Sequence, residues 1–271
     1  MRLPHPPVVI AQALEAASAG EQPAEALARA LETDTGFSHR LLRIANSAFY
    51  GLTQPVETVL DAIMVIGFDA VHSLAISAAV IRGLWTADDL FDPRTFWKHS
   101  LTVGRFAEVI AEGMSLAKPA TLFTLGVLHD AGRIILIQSA PKECREVAKL
   151  LAEKPMYRWK AERQVLGFDH AEIGAGLVEK WGMPAPYVEA IRCHHDLNGA
   201  TQHRQLAHVL ALADALSHRA FSSREERRYV APVYPGLYDA LGLDETQIRM
   251  LLERREAIER RTDQFYNSVV E

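Results

Sequence analysis

Between residues 93 and 220 the chain carries His99, the adjacent pair His129-Asp130, His170, the adjacent pair His194-His195, and Asp214. Imidazole nitrogens and carboxylate oxygens together suit Zn, Fe, Mn and similar divalent ions better than Ca or a thiolate-preferring ion. Each of these residues falls on, or at the end of, a separate expected helix. Neighbours on a helix project about 100° apart, so a His-His or His-Asp pair serves two ions better than one. An Asp130 shared between two ions would give each three or four protein ligands, and water in the remaining positions can be acidified into a nucleophile. A single helical histidine is more often a surface or hydrogen-bonded core residue than a ligand. His5, His39, His72, His203, His208 and His218 are assigned to that ordinary class.

The elements that must position this constellation are helices. Apolar residues recur at helical spacing and alternating strand patterns are nearly absent, which predicts an all-α fold. Short helices are expected at Pro23 to Glu32 and Ser38 to Ala48. Another follows Pro55, with Val56, Val59, Leu60, Ile63 and Ile66 on one stripe. Gly67 stops it, and Asp69 is expected to cap the next. Leu84 to Phe91 reads as a hinge, and Asp92-Pro93 as the start of a long helix carrying His99. The next helix is expected to run from Thr121 through His129-Asp130 and on to Ile137. Helices at Lys142 to Ala152, Arg158 to Leu166, Asp169 to Lys180, Pro186 to His195 and Gln202 to Arg219 follow. Asp244 with Gln247 three residues on has capping-box spacing. The expected division is an N-terminal helical bundle over 1–90, the metal-ligand domain over 91–220, and an irregular segment with a long helix over 221–271.

Composition narrows the function classes. At 271 residues with 49% hydrophobic and 23% charged side chains, the chain can bury a real core. A net charge of −5 argues against nucleic acid as main partner, and the basic stretch Arg224 to Arg228 is interrupted by Glu225 and Glu226. Two cysteines, Cys144 and Cys193, imply no disulfide framework and fit a reducing compartment. The opening MRLPHPPVVI lacks a signal-peptide core, and no uninterrupted apolar run reaches the roughly 18 residues of a membrane span. The expected setting is cytoplasmic, with no membrane partner.

The flanks of these residues resemble a known family. Leu125-Gly126-Val127-Leu128-His129-Asp130-Ala131-Gly132-Arg133 is similar to the signature of the HD superfamily of metal-dependent phosphohydrolases. More narrowly, LLRIANSAFYG (Leu41 to Gly51) followed by Val59 to Gly67 resembles the N-terminal hallmark of the HDOD family, the HD-related output domain of bacterial signalling proteins. Phe168-Asp169-His170 with Gly174, Trp181-Gly182-Met183-Pro184, Ala190-Ile191 and His194-His195 match the rest in order, so the resemblance runs from about Leu3 to about Arg219. It implies an N-terminal bundle of short helices packed on an HD-type helical domain. By similarity to the related HD-GYP phosphodiesterases, His99, His129, Asp130 and Asp214 would hold one ion, and His170, His194 and His195 with Asp130 the other. Two ions at most are expected, because Thr95 stands where a further acidic ligand would be.

The resemblance implies a signalling or scaffolding module with protein partners, its metal structural. The alternative is a phosphohydrolase acting on a nucleotide, cyclic dinucleotide or related phosphoester, with Asp130 and Arg133 as catalytic candidates. Arg133 replaces the lysine of those enzymes, and arginine can clamp a phosphate bidentately. The Gly-Tyr-Pro element expected after the double histidine is absent; the chain reads Asp196-Leu197-Asn198-Gly199-Ala200. The signalling reading is therefore preferred. Asn46, Ser47 and Tyr50 are read as a structural turn, and Trp97 and Trp181 as core packing.

Overall fold

The computed structural model describes residues 3–17, 22–46, 52–84, 89–116, 119–221 and 236–270. Among them the regular elements are helices, with no strand. The chain divides into two compact units. The smaller comprises 6–83 with 265–271, and the larger 1–5 with 84–264.

The smaller unit contains α1 (Val8–Ala17), α2 (Pro23–Glu32), α3 (Thr35–Ala45), α4 (Val59–Ile66) and α5 (Phe68–Gly83). Its apolar stripes meet in a core that includes Ile10, Leu27, Leu31, Leu41, Ile63 and Ile76. Asp34 starts α3 by accepting the Phe37 amide at 2.9 Å, and its other oxygen takes Arg82 Nη2 at 2.6 Å. Burial alone would raise the Asp34 carboxyl pKa; the Phe37 amide and Arg82 outweigh it and hold it below the usual range. Gly67, at φ 98°, ends α4. The following helix starts at Phe68, one residue earlier than the Asp69 cap expected from sequence, so Asp69 lies in its first turn. Asn46 closes α3 and exchanges two hydrogen bonds with the Val56 backbone, at 2.9 and 2.8 Å. That is the structural turn expected of this residue; Ser47 and Tyr50 lie outside the described residues. The hinge proposed for Leu84 to Phe91 also lies partly outside them.

The larger unit is built on α6 (Pro93–Gly113), capped by Asp92 accepting from the Arg94 amide at 3.1 Å. It packs against α7 (Pro119–Leu128) and α13 (Arg204–Phe221). The α6–α7 crossing is set by glycine, since a side chain on Gly126 would fall on the Gly104 backbone. The expected continuous helix from Thr121 to Ile137 is instead two. His129 and Asp130 form a turn between α7 and α8 (Ala131–Ser139), where Asp130 leaves helical geometry at φ −98°, ψ 2°. The apolar pattern continues on both sides of the break, which is why periodicity does not register it. Then come α9 (Pro141–Glu153), α10 (Arg158–Leu166), α11 (His170–Lys180) and α12 (Ala185–Cys193). Gly167, at φ 84°, ends α10 in the left-handed region, as the sequence suggests.

Beyond α13 lie α14 (Leu237–Leu241), α15 (Glu245–Glu253) and α16 (Arg255–Val270). Asp244 and Gln247 form the expected capping box. Trp97 is fully buried and Trp181 nearly so, the latter donating Nε1 to Pro4 O at 3.2 Å; both are core residues. The stretch Pro119–Ser139 is apolar and long enough by composition to cross a membrane. It is mostly buried inside the chain and is broken by the His129-Asp130 turn, as the centre of a protein core would be.

Candidate metal centre

The larger unit brings all seven candidate ligands together. His99 comes from α6, His129 and Asp130 from the turn between α7 and α8, and His170 is the first residue of α11. His194 is the C-cap of α12, His195 follows it, and Asp214 lies on α13. A close approach of α8 to α11 makes the convergence possible. A methyl on Gly132 would sit on the His170 carbonyl oxygen and 2.7 Å from the Gly174 amide nitrogen.

Hydrogen bonds on the outer side of the rings decide which nitrogen faces inward. His129 Nδ1 lies 2.7 Å from Gly126 O, and His194 Nδ1 lies 2.6 Å from Ile191 O. A carbonyl oxygen only accepts, so both Nδ1 atoms donate, and in the neutral rings Nε2 keeps its lone pair. His170 Nδ1 is held by Glu162 Oε2 at 2.5 Å, and the same oxygen accepts the His170 amide at 2.9 Å. His99 Nδ1 is 3.2 Å from Ser217 Oγ.

The inward nitrogens meet the two carboxylates. Asp130 Oδ1 is 3.1 Å from His170 Nε2 and 3.5 Å from His129 Nε2; its Oδ2 is 3.9 Å from His99 Nε2. Asp214 Oδ1 is 3.3 Å from His99 Nε2 and 3.8 Å from His129 Nε2. His170 Nε2 lies 3.0 Å from His195 Nε2. His194 Nε2 and Asp214 Oδ1 are buried without a well-aligned hydrogen-bond partner. Buried acceptors without donors are costly. Lone pairs converging in this way require protons or a cation between them.

The charges point the same way. Burial would raise both aspartates, yet the imidazoles and Arg133 around Asp130, and His218, His99 and His129 around Asp214, hold them well below the usual carboxylate range. Burial, then His129 and His170, push His194 down to about 4, which keeps the ring neutral. His195 is lowered by burial and by His194. His170 goes the other way. Burial would lower it, but Glu162 and Asp130 on either side raise it to about 10. Arg133 donates Nη1 to Asp130 Oδ2 at 2.6 Å.

Two sets of ligand atoms are each compact enough to surround an ion, their members lying within 4.8 Å of one another: Asp130, His170, His194 and His195, and His99, His129 and Asp130. Asp130 belongs to both, and Asp214 adjoins the second. The all-nitrogen-and-oxygen donor set fits Zn, Fe or Mn. Neither cysteine belongs to these sets.

Sequence reasoning missed three contributors. His218, assigned to the ordinary histidines, has Nε2 3.4 Å from Asp214 Oδ1 and groups with His99 and Asp214 at the same 4.8 Å spacing. Its side chain is 52% exposed, at the outer edge of the cluster. The available signal was its position four residues after Asp214 on one helix. Glu162 on α10, which orients His170, had no signal at helical spacing. Trp159 stacks on His195 with ring centroids 6.0 Å apart, a contact only tertiary structure makes. Thr95, by contrast, is tied to the Asp92 cap through a 2.5 Å hydrogen bond.

The HDOD domain profile matches residues 3–197. An uncharacterized protein of Treponema pallidum is 26% identical over 186 residues, covering 68% of this chain and 36% of that protein. A ribonuclease Y of Thermus thermophilus is 30% identical over 129 residues, covering 48% of this chain and 17% of the relative. This chain therefore spans well under half the length of these curated relatives. Among solved structures, an HDOD domain protein of unknown function from Geobacter sulfurreducens superposes with a TM-score of 0.79 at 23% identity, covering 98% of this chain and 94% of that one. A candidate signal transduction protein of Marinobacter aquaeolei VT8 gives 0.74 at 25%, covering 98% and 59%. A candidate metal-dependent phosphohydrolase of Shewanella amazonensis SB2B gives 0.65 at 18%, covering 97% and 93%. The likenesses below 25% identity speak for the fold alone.

Proposed function

Because the chain belongs to the HDOD-domain family, we propose that it is a regulatory signalling module whose larger unit is held together by a centre for up to two divalent ions. His99, His129, Asp130 and Asp214 hold one ion, and Asp130, His170, His194 and His195 hold the other. The observation that carries this reading is the convergence of imidazole Nε2 atoms on Asp130, with their Nδ1 atoms fixed from behind by Gly126 O, Glu162 and Ile191 O. Partners fixing the outer nitrogen are the usual support of histidine ligands. Divalent ions there supply positive charge that joins α6, the α7–α8 turn, α11, α12 and α13. The module works in the cytoplasm through protein partners, and nucleic acid is not among its main ones.

A second reading, a metal-dependent phosphohydrolase, is favoured by Arg133. Its guanidinium is anchored on Asp130 beside the ligand set, where it can hold a phosphoester oxygen. Paired divalent ions supply Lewis acidity and lower the pKa of water. The regulatory reading is preferred because the Gly-Tyr-Pro element is absent. In its place Asp196 leads into a short turn of 3₁₀ helix over Leu197–Gly199.

The two readings separate in one assay. Protein loaded with Zn, Mn or Fe(II) is incubated with bis(p-nitrophenyl) phosphate and with cyclic dinucleotides, beside Asp130→Asn. The regulatory reading expects no difference between the two proteins. Turnover present in the wild type and lost in Asp130→Asn would replace it with the hydrolase.

A further inference from the structure

Beside the metal centre, within the larger unit, a recess opens between α8, α9 and α10. Its apolar wall includes Leu136, Ile137 and Val147, and its charged groups are Arg133, Arg158 and Glu162. The local charges pair off unevenly. Arg133 is matched by Asp130 at 2.6 Å, and Glu162 by His170, whose amide and Nδ1 both bond to Oε2. Arg158 forms no ion pair among the described residues.

Arg158 is exposed, and three features of its surroundings favour an anion beside it. It shares the recess with a second guanidinium, Arg133, whose positive charge is the first cause of a pKa lowered to about 10. It is the first residue of α10, where the helix dipole favours negative charge. Lys160 in the same turn adds another cation, lying over the Tyr157 and Trp159 rings. A dianion in the recess would offset the repulsion between the two guanidinium groups that line it.

We propose that Arg158 and Arg133 form a subsite for a phosphoryl group in the recess beside the metal centre. Arginine's planar fork suits tetrahedral oxyanions through paired N–H donors. Arg133 is braced on one side by its Asp130 ion pair and has its guanidinium carbon 5.4 Å from the Phe96 ring centroid. Arg158 is the exposed member of the pair. The phosphoryl group belongs to a free phosphate or to a nucleotide.

The subsite rests on the metal-centre reading only through Arg133, which Asp130 anchors, so it is tested with and without metal. Isothermal titration of inorganic phosphate, GMP and guanosine into metal-free and Zn-loaded full-length chain is run on wild type, Arg158→Ala and Arg158→Lys. Elemental analysis of each sample accompanies it. The expected result is phosphate uptake by wild type in both metal states, weakened about tenfold in Arg158→Ala. Arg158→Lys is expected to fall between, with metal content unchanged in all three proteins. GMP binding more tightly than phosphate, with guanosine inert, identifies a nucleotide; equal affinities identify free phosphate. Equal phosphate affinity in wild type and Arg158→Ala, or no uptake by wild type at millimolar phosphate, overturns the proposal. If the loaded samples hold no Zn but Arg158-dependent phosphate binding persists, the subsite stands and the metal-centre reading falls.

Discussion

Gly132→Ala is expected to destabilise the larger unit by at least about 3 kcal/mol, the upper end of ordinary overpacking, and to disable the metal centre with it. The added methyl meets backbone, the His170 carbonyl and the Gly174 amide, rather than the tip of a flexible side chain. Relief requires the first turn of α11 to retreat from α8. That turn carries His170, whose Nε2 lies 3.1 Å from Asp130 Oδ1, so a shift of the helix pulls apart the set formed by Asp130, His170, His194 and His195. Gly176→Ala on the same helix is the control. Its new methyl would meet only Leu3 Cδ1, at an ordinary 3.6 Å. Removing a helical glycine there is expected to be neutral or to stabilise by about 0.5–1 kcal/mol. Urea unfolding and metal content of the two variants provide the comparison. If Gly132→Ala unfolds at the same urea concentration as wild type, the close approach of α8 and α11 is wrong.

Asp130→Ala is expected to cost about 3–5 kcal/mol in metal-free protein, as removal of one partner from a buried ion pair does. The carboxylate is nearly inaccessible and neutralises Arg133 at 2.6 Å, while its other oxygen faces His129 and His170. Without it Arg133 loses its counter-charge, and the raised pKa of His170 loses one of its two causes. Because Asp130 is shared by both ligand sets, both ions are expected to be lost. Asp130→Asn separates packing from charge. It keeps the volume and one acceptor oxygen, so it should unfold closer to wild type while still losing metal. Were Asp130→Ala to retain one full equivalent, Asp130 would not be the shared ligand.

The fold was largely legible because its determinants are local. The Asp92-Pro93 start, the Gly167 stop, the Asp169 cap and the Asp244 capping box each act within one turn of chain, and each is found as read. Two of the misread helix limits fall where apolar pattern and backbone geometry part company. Apolar residues run on through His129-Asp130, but burial of those side chains at the centre needs a turn there, closed by Arg133 N on Asp130 O at 2.9 Å. At α5 an Asp with cap chemistry sits one residue inside the helix, because Gly67 already ends the one before it.

The members of the cluster were legible from residue type, because histidine and aspartate pairs in a mainly apolar helical setting are chemically conspicuous. Their support was not. Glu162 lies on a different helix from His170, and Arg158 and Arg133 share a recess across 25 positions of chain. Such pairings arise from how α8, α10 and α11 pack, and no spacing rule within one helix encodes them. His218 was the missed residue with a usable signal. Its four-residue offset from Asp214 puts both on one face of α13, and it was passed over because a helical histidine is usually ordinary.

The central claim is that this histidine and aspartate cluster holds divalent metal. Elemental analysis of the protein purified without chelator, beside a variant with His129 and Asp130 both replaced by alanine, tests it most directly. About two equivalents of Zn, Mn or Fe in the wild type, as expected for two ligand sets sharing a carboxylate, and none in the variant is the predicted result. A wild type that carries no metal and takes up none when Zn, Mn or Fe(II) is supplied would contradict it.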